Sequence, residues 1–318
     1  MIITTKHIAP WNDVFFLAYG LLIDNLNRSI EHTYPDQDVL LIDNTYLNQF
    51  EVAELVKNNR CNIVVILSVL DPPYTWSTLS THLQETFPDK IFRYVGNESP
   101  DVEVLFWYLL CNREFTRYQD VDVLPRSFEY MFLSYNLKPH EHRVKLVQRL
   151  SEQDLLKLGY WTLNDKKYES LRSTAPLAPN LGDLDIWQKH FLNIVSMTVF
   201  RMNTEPLMVC EKVFKPIIGL RPFVINGSPR YYNVLRQHGF DCFEDIWPVA
   251  DLCTELDSLE ATMNRSHQII CDIVKDLSKD NLSTLYQKLL SRLQYNRDLW
   301  YQLASKYDKQ YTQELIKF

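Results

Sequence analysis

The sequence predicts an α/β protein with parallel sheets in two domains, and three observations point there. Short apolar runs alternate with stretches that carry apolar residues at helical spacing, the pattern of strands joined by crossover helices. That alternation lapses and restarts before mid-chain. At 318 residues the chain also exceeds what one core usually organises.

The elements follow in order. Residues 1–8 read as a short strand ending at Pro10, and residues 14–27 (VFFLAYGLLIDNLN) as a helix. Residues 38–43 (DVLLID) form a compact apolar run typical of a strand buried on both faces. A helix over 47–58 leads to the clearest strand, 61–70 (CNIVVILSVL), stopped by Asp71-Pro72-Pro73 because proline cannot continue a central strand. A helix over 75–86 and a strand over 90–95 complete a parallel, doubly wound pattern. After a change of domain near 108–125, strands are expected at 128–137, 160–164, 193–201 and 221–226, with helices at 142–150 and 210–218. Residues 166–185 are polar, contain two prolines and read as an irregular insertion. The segment from 252 onward is helical and rich in charge, with no seven-residue repeat. The predicted domains are 1–125, 126–260, and helices 261–318 packing back on the body.

Composition limits the function classes. No stretch approaches the roughly 18 apolar residues of a membrane helix, and the N-terminus lacks a basic segment followed by an apolar one. The six cysteines are scattered without a CxxC pair, which argues against structural zinc and for reduced thiols in a cytoplasm, bacterial or that of a phage-infected host. A net charge of -7 requires any nucleic-acid contact to come from a local basic patch. Neither GxGxxG nor GxxxxGK[ST] occurs, so the dinucleotide fingerprint and the P-loop are both missing. Only seven glycines are present, yet Gly219, Gly227 and Gly239 fall in one short region, where unusual dihedrals or close ligand approach are expected.

Two clusters carry chemistry. In Glu211-Lys212-Val213-Phe214-Lys215-Pro216-Ile217-Ile218-Gly219, three charges gather at a helix beginning. A carboxylate there is suited to the two hydroxyls of a ribose, and lysines with helix N–H groups to phosphate. The same spacing is also that of an ordinary i,i+4 ion pair on a solvated helix face. In Asn136-Leu137-Lys138-Pro139-His140-Glu141-His142-Arg143, a strand hands over to a helix, the place where open α/β sheets bind ligands. Lys138 and Arg143 there are suited to a diphosphate. His140 and His142 have no third metal ligand at diagnostic spacing. Asp120-Val-Asp122 and Asp183-Leu-Asp185 match the metal-binding Asp-x-Asp pattern formally, which a chain this acidic produces about once by composition alone.

These residues resemble a family. Asn136-Leu-Lys138-Pro-His-Glu-His142-Arg143-Val144, then Tyr160-Trp161, then Glu211-Lys212-Val-Phe214-Lys215-Pro216, Gly219, Pro222-Phe223 and Gly227, then Leu235, Gly239-Phe240 and Phe243 follow, in order, a pattern similar to that of GT-B-type glycosyltransferases of bacteria and phages, distantly similar to fucosyltransferases and exostosins. The resemblance covers about residues 130–250. It departs at Leu137-Lys138, where the family commonly carries an arginine-rich pair.

The resemblance implies two Rossmann-like domains facing across a cleft, with a UDP- or GDP-linked sugar donor held mainly by the C-terminal one and no metal. It makes Glu211 the ribose ligand. It gives Lys138, Arg143, Lys212 and Lys215 the charge on the leaving diphosphate, and adds His142 and Gly227 to the donor site. An inverting transfer also needs a base for the acceptor hydroxyl. Asp13 and Asp71, which follow predicted strands of the first domain, are the expected choices for a base ahead of Glu98 and His7, although helix capping or turn formation is the favoured reading of both. The acceptor is either a glycan or small molecule, or a hydroxymethylated pyrimidine in phage DNA. The DNA version needs a basic rim from Lys6, Arg28, Lys57, Arg60, Arg113, Arg117 and Arg126, diluted by Asp43, Glu51, Glu54 and Asp101. A rival from another class is a non-catalytic α/β protein that uses the same site to bind a ligand or partner.

Overall fold

The structure is a computed structural model that describes residues 2–5, 37–43, 49–67, 76–95, 115–136, 138–163, 180–198, 200 and 211–316. It is an α/β protein with two parallel sheets. Contacts within the chain divide it into two units, Met1–Leu110 with Ser305–Phe318, and Cys111–Ala304.

In the first unit, β1 (Ile2–Thr5), β2 (Val39–Asp43), β3 (Ile63–Leu67) and β4 (Ile91–Val95) pair in parallel in that order. Helix α1 (Gln49–Lys57) joins β2 to β3, and α2 (Trp76–Thr86) joins β3 to β4. Each described strand is laid on the same side of its predecessor, so right-handed crossovers put α1 and α2 on one face. Val52 and Val56 of α1 and Leu83 of α2 accordingly share one core with Leu40, Ile42, Val64, Ile66 and Phe92. The winding therefore runs one way here, and the expected reversal of a doubly wound sheet does not occur among the described strands.

The second unit has that reversal. Its strands β5 (Tyr130–Tyr135), β6 (Gly159–Thr162), β7 (His190–Ser196) and β8 (Phe223–Asn226) are all parallel and stand in the order β6-β5-β7-β8. Between β5 and β6 lies α3 (Glu141–Glu152); between β7 and β8 lies α5 (Glu211–Ile218). Because the chain leaves β5 in one direction and β7 in the other, the two helices take opposite faces. A short α4 (Leu184–Trp187) precedes β7. After β8 come α6 (Arg230–Gln237), α7 (Val249–Leu252), α8 (Leu259–Leu277) and the long α9 (Leu282–Ile316). Helix α8 lies on the α3 side, where Arg149 meets Gln268. On the other side Trp300 of α9 packs against Phe214 of α5. Among the described residues no helix is long and apolar enough to cross a membrane.

Local sequence explains the ends of these helices. Helix α3 stops where Asp154 takes φ 58 and Leu155 N–H bonds back to the Leu150 carbonyl, a left-handed cap that aspartate tolerates better than most residues. Helix α5 closes the same way, with Arg221 N–H on the Pro216 carbonyl, but Leu220 takes the left-handed position at φ 53. The neighbouring glycine is needed one residue earlier, because a Cβ on Gly219 would lie 2.2 Å from Trp187 Nε1. Tyr286 Oη and Arg221 Nη1 both donate to the Leu220 carbonyl and hold the strained residue in place.

Strand β7 begins at His190, three residues ahead of the expected start. The His190 ring is fully buried edge-on against Trp187, so a residue that reads as polar is part of the core. The segment expected to be irregular ends in the start of α4, which is capped by Asp183 accepting from Asp185 N–H.

Candidate functional site

Strand order fixes the place. The reversal lies between β5 and β7, and the crevice outside the carboxyl ends of two such strands is where open α/β sheets take ligands. The residues at those ends are polar yet buried. Asn136, Thr162, Ser196 and Asn226 sit at the ends of β5, β6, β7 and β8, each at most 3% exposed. They hold one another. Asn136 N–H donates to Thr162 Oγ1, whose hydroxyl donates to the Asn136 carbonyl. Asn226 Nδ2 donates to Ser196 Oγ, and His267 Nε2 of α8 donates to Asn226 Oδ1 at 3.0 Å. Asn136 Oδ1 and His267 Nδ1 are buried without a hydrogen-bond partner among the described residues.

The first turn of α3 is fastened to the end of β7. Arg143 donates from Nε (3.2 Å) and Nη2 (2.7 Å) to the Met197 carbonyl, from Nη2 to the Ser196 carbonyl and from Nη1 to the Lys138 carbonyl. His142 Nε2 donates to the same Met197 carbonyl at 2.9 Å. Buried charge this close to carbonyl oxygens is satisfied by charge-assisted hydrogen bonds. Burial, opposed by the bond to Met197 and helped by Arg143, holds His142 near pKa 4, so it is neutral at pH 7.

From α5, Lys212 reaches Thr198 Oγ1 at 3.4 Å and pairs with Glu211 at 3.0 Å. The Glu211 side chain is only 15% exposed. Burial raises its pKa, but Lys212 and Lys215 outweigh this and hold it below the usual carboxylate value, so it is ionised. Lys215 is buried one helical turn further on.

The two segments singled out in the sequence thus meet at residues 196–198. Their charges are felt at one point: burial and then Arg143, Lys138 and Lys212 lower the pKa of His140, which caps α3. Lys138 is exposed, and His140 is half-buried within the influence of all three cations. The space at Gly227 belongs to packing, since a Cβ there would come within 2.6 Å of Met197 Cγ and 3.0 Å of Tyr231.

Asp13 and Asp71 lie outside the described residues, as do Glu98, His7, Lys6, Arg28 and Arg113. The two Asp-x-Asp matches have structural work. Asp122 accepts from Leu124 N–H, Asp183 caps α4, and Asp185 pairs with Lys189 at 2.8 Å. Arg117 donates to Tyr118 and lies two residues from Gln119, which shares a cavity with Leu220 at the amino end of β8. That is the amino end of the strands, whereas the cation cluster lies at their carboxyl ends.

Sequence reasoning passed over His140, Ser196, Asn226 and His267. His140 stands in the quoted motif, but its spacing there gives it no role beyond the missing third metal ligand. Nothing in the sequence marks His267, which lies on an amphipathic helix 41 residues beyond the asparagine it contacts. Comparison with protein-family models, curated proteins and solved structures returned no match.

Proposed function

We propose that this chain is a GT-B-type glycosyltransferase that moves a sugar from a UDP- or GDP-linked donor to a hydroxyl acceptor without a metal. The observation that carries the reading is that Arg143, bonded to the Lys138, Ser196 and Met197 carbonyls, and Lys212, reaching Thr198, meet where β7 ends and the loop after β5 begins, at the winding reversal of a parallel sheet. Positive charge fixed there before the ligand arrives is what a departing diphosphate requires, and it acts without reorganisation as charge develops. In this reading Glu211, ionised and mostly enclosed, takes the ribose hydroxyls. The lysines touch phosphate oxygens. Arg143, whose described bonds run to main-chain carbonyls, contributes its field and holds Lys138 in place. The two-domain arrangement across a cleft belongs to the same proposal, as do Asp13 or Asp71 as base and a glycan, small-molecule or hydroxymethylated-pyrimidine acceptor.

Calorimetric titration with UDP and GDP tests the donor site. Lys212→Ala is expected to weaken nucleotide binding on the order of tenfold, the loss of one charge-assisted contact. Arg117→Ala, near the amino end of the strands, is expected to leave binding unchanged. Mass-spectrometric screening of nucleotide sugars for turnover then separates a transferase from a non-catalytic binding protein. Gel shifts with plain and hydroxymethylated duplexes separate the acceptors. A protein that binds neither nucleotide ends the transferase reading.

A further inference from the structure

The cation cluster contains one polar ring that the fold leaves uncommitted. Arg143 is tied to carbonyls, Lys212 to Glu211 and Thr198, and His142 to Met197. The His140 ring makes no hydrogen bond among the described residues. It lies parallel to the His142 ring, with centroids 6.1 Å apart and planes at 8°. The two histidines are thus divided in role. His142 is buried and turned toward Met197, whereas His140 is half-buried at the start of α3.

We infer that His140 is the ring that contacts the ligand's phosphate, and that it takes up a proton from solvent when a dianionic terminal phosphate binds. This rests on the reading of the site as one for a diphosphate. The charges around the ring come from Lys138 on the loop before it, Arg143 on its own helix, and Lys212 on α5 with its partner Glu211. Glu141, the next residue, is spent on Lys145 at 2.7 Å and is exposed. Without ligand, burial and the net positive field disfavour the imidazolium. A dianion placed against the ring cancels the net +2 of those groups and, as the nearest charge, favours the protonated ring.

The consequence is discrimination between two states of one ligand. A free terminal phosphate has a second ionisation near pH 6 and carries more negative charge than the same phosphate esterified to a sugar. Proton uptake at His140 therefore favours the nucleoside diphosphate over the nucleotide sugar. It also favours the charge distribution that forms as the sugar–oxygen bond breaks and its electron pair stays with the phosphate.

Calorimetry of the full chain tests this, using UDP, GDP, their sugar esters and inorganic pyrophosphate. Each is titrated at pH 6.5 in two buffers of different ionisation enthalpy, so that the difference in heat counts protons. Corrected for the proton that the partly protonated terminal phosphate itself loses near pH 6, the expected result is uptake by the protein of a large fraction of one proton with the diphosphates, and clearly less with the sugar esters. His140→Asn is expected to abolish the uptake and weaken diphosphate binding about tenfold at pH 6, with little change at pH 8, where the ring stays neutral. Glu141→Gln serves as the control and is expected to keep both.

Nucleotide binding without uptake, or with uptake that survives His140→Asn, overturns the assignment of His140 and leaves the transferase reading standing. Pyrophosphate binding with His140-dependent uptake, and no nucleotide binding, supports the assignment and sinks the transferase reading. No binding of any of these anions overturns both.

Discussion

Mild acid should unfold the second unit, and the size of the effect follows from its histidines. His142 and His267 are buried and neutral, with pKa values near 4 and 3, set first by burial. In the unfolded chain each returns to about 6.5. The folded state therefore binds fewer protons below that value, and stability falls as pH drops from about 6.5 toward the folded values. At pH 5 the difference removes about 2 kcal/mol per histidine, or about 4 kcal/mol for the pair. His190, buried completely and held well below its ordinary value by burial and then by Arg221, acts in the same direction. A whole domain has only about 5–15 kcal/mol to lose. Urea titrations followed by tryptophan fluorescence, which reports on buried Trp187 and Trp300, should show a midpoint that falls steeply between pH 7 and 5. Ordinary carboxylates stay ionised in that window, so histidine dominates the slope. His267→Gln keeps an amide donor for Asn226 and should reduce the slope by close to one proton. A midpoint flat from pH 7 to 5, or a slope unchanged in His267→Gln, would refute the neutral buried histidines.

Three further outcomes are expected. Gly219→Ala drives a methyl group into the buried Trp187 ring and should destabilise by about 1–3 kcal/mol in denaturant unfolding. Asp154→Gly relieves a left-handed backbone at an exposed position and sacrifices only a surface pair with Lys157, so it should stabilise by about 0.5–1 kcal/mol; a lower midpoint would contradict the cap. Arg292 grips Asp241 and Asp245 at once and rests over the Phe243 ring, and Arg292→Met should cost about 1–3 kcal/mol, with the loss largely removed in 1 M salt if attraction between charges is the source.

Much of the fold was legible because parallel strands buried on both faces leave a strong mark. The runs 38–43 and 61–70 became β2 and β3, and the expected segments 47–58 and 75–86 became α1 and α2 within two residues at either end. What failed to show was tertiary in origin. His190 reads as a loop residue until Trp187 covers it, and Leu220 reads as an ordinary apolar residue until Gly219 is claimed by the same tryptophan. The direction of winding was hidden too, since α1 and α2 carry the same apolar stripe whichever face of the sheet they cover. At the candidate site the charged residues were visible, and their spacing brought Arg143 and Lys212 into view. Their division of labour was not visible: one arginine fastens backbone, and the histidine turned toward the strand end is His142 rather than His140.

The carbonyl of Met197 gives the site its mechanical character. Two adjacent residues of α3 grasp that single oxygen, so the helix cannot slide along the strand end without giving up both grips at once. One wall of the crevice is therefore stiff. In the proposed donor site, ligands of different bulk would then be met by the four-carbon stems of Lys138 and Lys212. A donor site made this way would read the charge of what enters closely and its outline loosely.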